Sequence, residues 1–140
     1  MIERLKAILE AEGLSLVAMD RGGVLHRGTG RGVSDLWRML HDPAEPLRGA
    51  TVVDKVVGRG AAALMIAGGV KRLYTPLLSG QALAFLERSD VDFSYDRLVS
   101  RIRNRANTGY CPVETLTAGC DTPEECLPLI EQFINSLNTK

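Results

Sequence analysis

Ile2, Leu5, Ile8 and Leu9 recur at helical spacing, and Gly13 follows where a left-handed cap suits glycine, so the chain opens on an amphipathic helix. Two short apolar runs, residues 15–19 and 24–27, flank Asp20-Arg21-Gly22-Gly23 and predict a β-hairpin with a tight reversal. Gly28, Gly30 and Gly32 then lead to a short helix that Ser34 or Asp35 can cap. Leu36, Trp37 and Leu40 turn to the core there, and Pro43 and Pro46 end the segment.

From residue 51 the pattern alternates between strand and helix. Strands are predicted at 51–54, 71–75 and 91–95, with helices at 56–67 and 80–88 between them. Such alternation implies right-handed crossovers and a parallel core to the sheet. Gly68-Gly69 and Arg88-Ser89-Asp90 mark the helix ends, and a further helix over 97–104 has Asp96 as its cap. Thr122-Pro123-Glu124-Glu125 reads as a capping box with proline at the first helical position, and Leu127, Ile130, Ile134 and Leu137 supply a buried stripe. Pro128 interrupts that pattern, because an interior proline removes a hydrogen bond, and it moves the expected start of the helix to itself. The expected architecture is one α/β domain over residues 1–140: three layers, α/β/α, around a mixed sheet of about five strands, the hairpin preceding βαβαβ.

Composition narrows the functional classes. Seventeen basic residues balance seventeen acidic ones, which leaves no electrostatic case for a nucleic-acid or membrane partner. No segment approaches the roughly 18 uninterrupted apolar residues of a membrane span, so the expected location is cytoplasmic. Cys111, Cys120 and Cys126 are odd in number and form no CxxC pair, which points to reduced thiols. Together with His26 and His41 they show none of the short ligand spacings of a zinc site, so no metal and no cofactor are expected.

The most informative stretch is residues 50–69, a buried strand running into an almost wholly apolar helix in which only Asp54, Lys55 and Arg59 are charged. Charged groups at such a junction need a partner, solvent or a ligand. Helix N-termini favour anions, and open α/β sheets bind ligands beyond the carboxyl ends of their strands. Asp54 can equally be a helix cap, and the small residues from Gly58 to Ala63 can serve close helix-to-sheet packing. Gly58-Arg59-Gly60 with Ala63 matches the GxGxxA form of a dinucleotide fingerprint, but inside the helix and without the acid about 20 residues on. The Gly28–Gly32 run, GTGRG, can cradle a phosphate but lacks the lysine and hydroxyl of a P-loop. A second cluster covers residues 104–114, where Cys111 precedes proline near Arg103 and Arg105, whose charge would favour a thiolate. Arg97, Arg101, Arg103 and Arg105 can gather on one helix face, solvated or meeting phosphate or carboxylate.

The segments VVDKVVGRGAAALMIAGGVKRLYT and TGYCPVE resemble an uncharacterised prokaryotic family, a domain of unknown function whose structurally known member has a cytidine-deaminase-like fold. The likeness runs from about Leu16 to the last helix. Zinc deaminases of that fold carry HxE at the start of the central helix and PCxxC at the next. Here those places hold Asp54-Lys55-Val56 and Thr75-Pro76-Leu77-Leu78-Ser79, so the resemblance implies the scaffold without zinc-dependent deamination. It implies a pocket where two helix N-termini converge, with Asp54, Lys55, Gly58, Thr75, Ser79, Asn104 and Arg105 binding a small polar ligand such as a nucleotide, and Cys111 and Glu114 beside them. Two alternatives stand next to it. One is a thiol-dependent enzyme with Cys111 as nucleophile or redox thiol, Glu114 or Asp54 accepting a proton and Lys55 stabilising negative charge. The other is a small oligomerising protein, a homodimer among the options, that meets its partner through Trp37 or Leu77-Leu78.

Overall fold

The computed structural model describes residues 1–30, 33–102 and 111–138. Helix α1 (Ile2–Ala11) is followed by the hairpin β1 (Leu16–Met19) and β2 (Leu25–Gly28), and by α2 (Ser34–Leu40). Then come β3 (Thr51–Asp54), β4 (Val56–Val57), α3 (Arg59–Gly68), β5 (Arg72–Ser79), α4 (Gly80–Glu87) and β6 (Asp92–Val99), and finally α5 (Pro112–Leu116) and α6 (Pro123–Asn138). Asp20 builds the hairpin turn by accepting hydrogen bonds from the Gly22 and Val24 N–H groups at 2.8 and 3.0 Å.

The six strands form one mixed sheet. β1 runs antiparallel to β2 and β3, whereas β3, β4 and β6 all run parallel to β5. Thr51 lies beside Arg72 and Val56 beside Leu77, the same offset, so β4 continues β3 along one side of β5 while β6 takes the other. The sheet is therefore five strands wide. Alternation along β1 divides its burial between two cores. Val17 and Met19 join Leu5 and Leu9 of α1 on one face, while Leu16 and Ala18 join the larger core built with α2 to α6 on the other. Three layers result, α/β/α.

Five sequence expectations need correction. Residues 97–99 extend β6 instead of starting a helix, because Arg97, Leu98 and Val99 pair with Leu77, Leu78 and Ser79; sheet pairing overrides their weak helical preference. Asp96, expected as that helix's cap, instead accepts a hydrogen bond from the Tyr74 hydroxyl. Helix α3 starts at Arg59 and not at Val56, since Val56 and Val57 are held in the sheet by β5. Helix α6 passes through Pro128: its first turn is fixed by the Thr122 hydroxyl accepting from the Glu125 N–H at 3.3 Å and by the fully buried Cys126. Of the residues expected in an apolar surface patch, Trp37 or Leu77-Leu78, Leu78 is fully buried, while Trp37, against His41 and the core, and Leu77 are half-buried.

Candidate functional site

Both central strands break at one level. Val52 and Val57, five residues apart, lie in the same core, as do Leu73 and Leu78 on the neighbouring strand. Side chains in an unbroken strand alternate with period two, so each strand shifts phase between those residues. The breaks fall at Asp54-Lys55 and Thr75-Pro76. Proline has no N–H to give to a ladder, and the Thr75 hydroxyl fills in locally, accepting from the Leu77 N–H at 3.3 Å and donating to the Leu77 carbonyl at 3.1 Å. Asp54 is the last residue of β3 and lies opposite Leu16, so its carboxyl points into the larger core.

Beside this break a cavity of about 380 Å³ lies between the end of β3, the starts of α2 and α3, α5 and the second half of α6. Val33, Ile102, Val113, Phe133 and Ile134 make apolar walls, and Asp35, Asp54, Lys55, Cys111 and Glu114 add polar groups. Lys55 is exposed at its rim.

Glu114, 1% exposed, is the residue on which α3 is built. One carboxylate oxygen accepts from the Arg59 N–H at 2.7 Å and the other from the Ile102 N–H at 3.2 Å. It thus caps a helix that begins 55 positions before it, complementing the positive end of the helix dipole. A Cβ on Gly58 would stand 2.5 Å from that oxygen, and one on Gly60 would press into Val113, so these two glycines admit α5 to the start of α3. Arg59 finds its own partners. Its guanidinium donates to the carbonyls of Gln81, Ala118 and Cys120 and lies 4.6 Å over the Phe85 ring, tying α3 to α4 and to the α5–α6 connection.

Asp54 is treated differently. It is 7% exposed, and its carboxyl is met by the Val56 N–H at a long 3.5 Å and by the Lys55 N–H beside it. Burial, with the negative charge of Asp35 adding to it, pushes its carboxyl up to about 8, so Asp54 is mostly a neutral acid at pH 7. Asp35 accepts from the Gly30 N–H at 2.7 Å and from Arg38 at 3.1 Å. Gly28 and Gly30 therefore pack around an internal carboxylate in the place where a phosphate was one expectation. Among the described residues no three histidine, cysteine or acidic side chains come together to hold a metal ion. The cavity donors do not fit zinc either, since Glu114 has both oxygens engaged by N–H groups.

Residues 4–134 match the TM1506 family, described as a domain of unknown function (DUF1893). The chain belongs to that family. It is similar in structure to a DUF1893 family protein, TM1506, from Thermotoga maritima, with a TM-score of 0.84 and 24% identity over 94% of this chain and 88% of that one. No curated protein matches.

In this TM1506-family chain, Asp54, Lys55, Gly58, Cys111 and Glu114 line one cavity, although they come from two segments more than 50 residues apart. Thr75 and Ser79 do not line it. Thr75 mends the break in β5, and the Ser79 hydroxyl caps α4 by accepting from the Ala82 N–H at 3.0 Å. Asp54 does not cap α3, a task that falls to Glu114. Asn104 and Arg105 lie outside the described residues, as does Arg103. The arginines that are described do not share a helix face: Arg97 is on β6, and Arg101 donates to the Thr115 hydroxyl at 2.8 Å. Cys111 is half-buried at the start of α5. Sequence reasoning missed Asp35 as a cavity residue. The signal available was its place in the first turn after a glycine run, which was read as a cap.

Proposed function

We propose that this TM1506-family protein is a ligand-binding module on a cytidine-deaminase-like scaffold without the zinc ligands. It holds a small polar organic molecule, with nucleosides and nucleotides as the leading candidates, in the cavity beside Asp54. The observation that carries the reading is a buried carboxyl facing a largely apolar cavity of about 380 Å³. That volume lies in the range of small-molecule sites, and a few polar groups among apolar walls are their usual make-up. An anionic group on the ligand belongs at Lys55 on the rim, because Glu114 already fills the start of α3. A thermal-shift screen of nucleosides and nucleotides tests it. A ligand at a hundred times its Kd adds about 2.7 kcal/mol, a shift of several degrees. The shift should shrink for nucleotides in Lys55→Ala and vanish in Asp54→Val; a flat screen ends the reading.

A second reading, a thiol-dependent enzyme, draws on Cys111 lining the same cavity as Asp54. Asp54 would then be the proton acceptor in its ionised form, which prevails above about pH 8, since both Glu114 oxygens are engaged by N–H groups. Iodoacetamide labelling of Cys111 across pH separates the two: an apparent pKa well under the ordinary value of about 8.5 favours chemistry, and an ordinary one favours binding alone.

A further inference from the structure

We infer that the cavity takes its ligand by a nitrogenous edge, two nitrogens on one carbon as in an amidine or an amino-substituted nitrogen heterocycle, seated against Asp54. The inference rests on the reading that the cavity binds a small ligand.

Of the three carboxyls around the cavity, two are already committed. Glu114 is held by the Arg59 and Ile102 N–H groups, and Asp35 by Gly30 and Arg38. The Ser15 hydroxyl donates to the carbonyls of Gly28 and Gly30 at 3.0 and 3.2 Å. Asp54 is more than nine-tenths buried, and among the described residues its carboxyl is met by backbone N–H groups of its own turn, Val56 at a long 3.5 Å and Lys55 beside it. A buried polar group so weakly satisfied is costly, so a molecule that completes it is selected over one that merely fills space.

The chemistry of the carboxyl specifies the complement. As a neutral acid Asp54 presents one O–H donor and one carbonyl acceptor side by side. A ring nitrogen next to an amino group offers the reverse pair, acceptor beside donor. In its cationic form the same edge offers two donors to the carboxylate, the bidentate geometry that makes such pairs strong. Either way the edge and the acid share one proton. A carboxylate or phosphate in the same place meets the charge of Asp35 and a helix start already filled by Glu114, and a polyol meets apolar walls. About 380 Å³ suits a single ring, with any substituent leading out past Lys55.

The test is an NMR titration of the full chain with 2-aminopyrimidine, benzamidine and benzoate, following the methyl signals of Val33 and Val113, for the wild type, Asp54→Asn and Asp54→Val. The neutral 2-aminopyrimidine should bind the wild type and bind Asp54→Asn within a few-fold, because an amide presents the same donor and acceptor. Against Asp54→Val it should lose at least tenfold. Benzamidine, a cation that needs the carboxylate, should lose at least tenfold already in Asp54→Asn, which keeps the inference testable if the valine variant fails to fold. Benzoate should leave both methyl signals in place. Equal binding of either nitrogen probe where a loss is expected, or tighter binding of benzoate, overturns the inference. If the nitrogen probes fail while a compound without such an edge, a uracil nucleotide for example, moves Val33 and Val113, the nitrogen edge is wrong and the binding module stands. If no compound moves them, both fall.

Discussion

Replacing Asp54 by asparagine should change how the stability of this protein depends on pH. The side chain keeps its shape and an oxygen for the Val56 N–H but can no longer ionise. In the folded protein burial raises the Asp54 carboxyl from the ordinary 3.8 to about 8. Between those values the folded state holds a proton that the unfolded chain has released, so the stability from this group is complete below about pH 4 and is lost as pH rises through 8. The slope is about 1.4 kcal/mol per pH unit, or about 4 kcal/mol between pH 5 and 8. Against a total of about 5–15 kcal/mol for a protein this is a large share. At about 3 °C per kcal/mol for a chain of this length, Asp54→Asn should gain roughly 12 °C in Tm relative to the wild type over that span. Cys126, whose thiol burial pushes up to about 12, titrates above this window and is common to both proteins. Urea and thermal unfolding of both proteins at half-unit steps from pH 5 to 9 read the difference directly. A difference that stays constant with pH, or one that moves in the wild type's favour as pH rises, refutes the claim that Asp54 is a buried neutral acid.

Three further outcomes follow from the same geometry. Glu114→Ala leaves two backbone N–H groups without an acceptor and should cost about 2–4 kcal/mol in urea unfolding, with hydrogen exchange speeding first at Arg59 and Ile102; a change below about 0.5 kcal/mol contradicts the capping role. Gly60→Ala puts a methyl group into Val113 and should destabilise by about 1–3 kcal/mol, although alanine is otherwise the better helix former; a more stable variant means that α5 does not rest on α3 as described. Alkylation mapped by mass spectrometry should reach Cys111 before Cys120 and Cys126, which are buried; simultaneous labelling of all three in the native protein is the contrary result.

Much of the fold is legible in the residues because its signals are local. The hairpin follows from Asp20 and its glycines, the start of α6 from Thr122 to Glu125, and the end of α3 from Gly69, which adopts a positive φ of 85°. Where reading by pattern fails, a distant partner overrides a local preference. Val56 and Val57 look like the first turn of an apolar helix until β5 binds them, and residues 97–99 look helical until they pair with residues 77–79. The cavity shows the same division. That Asp54 and Lys55 stand at a strand end next to small residues is visible in sequence order, whereas the convergence of Glu114, Cys111 and α6 on them is not.

By itself, then, the sequence determines an α/β chain, with balanced charge and a conspicuous acid-base pair at the end of a buried strand. Only the tertiary structure decides which acid does what. Glu114 receives two N–H groups and becomes part of the scaffold, while Asp54 is buried beside another carboxylate with almost nothing to bond. Identical chemistry at the level of residue type divides into a cap and a candidate ligand group, because hydrogen-bond partners and dielectric surroundings are properties of the folded whole.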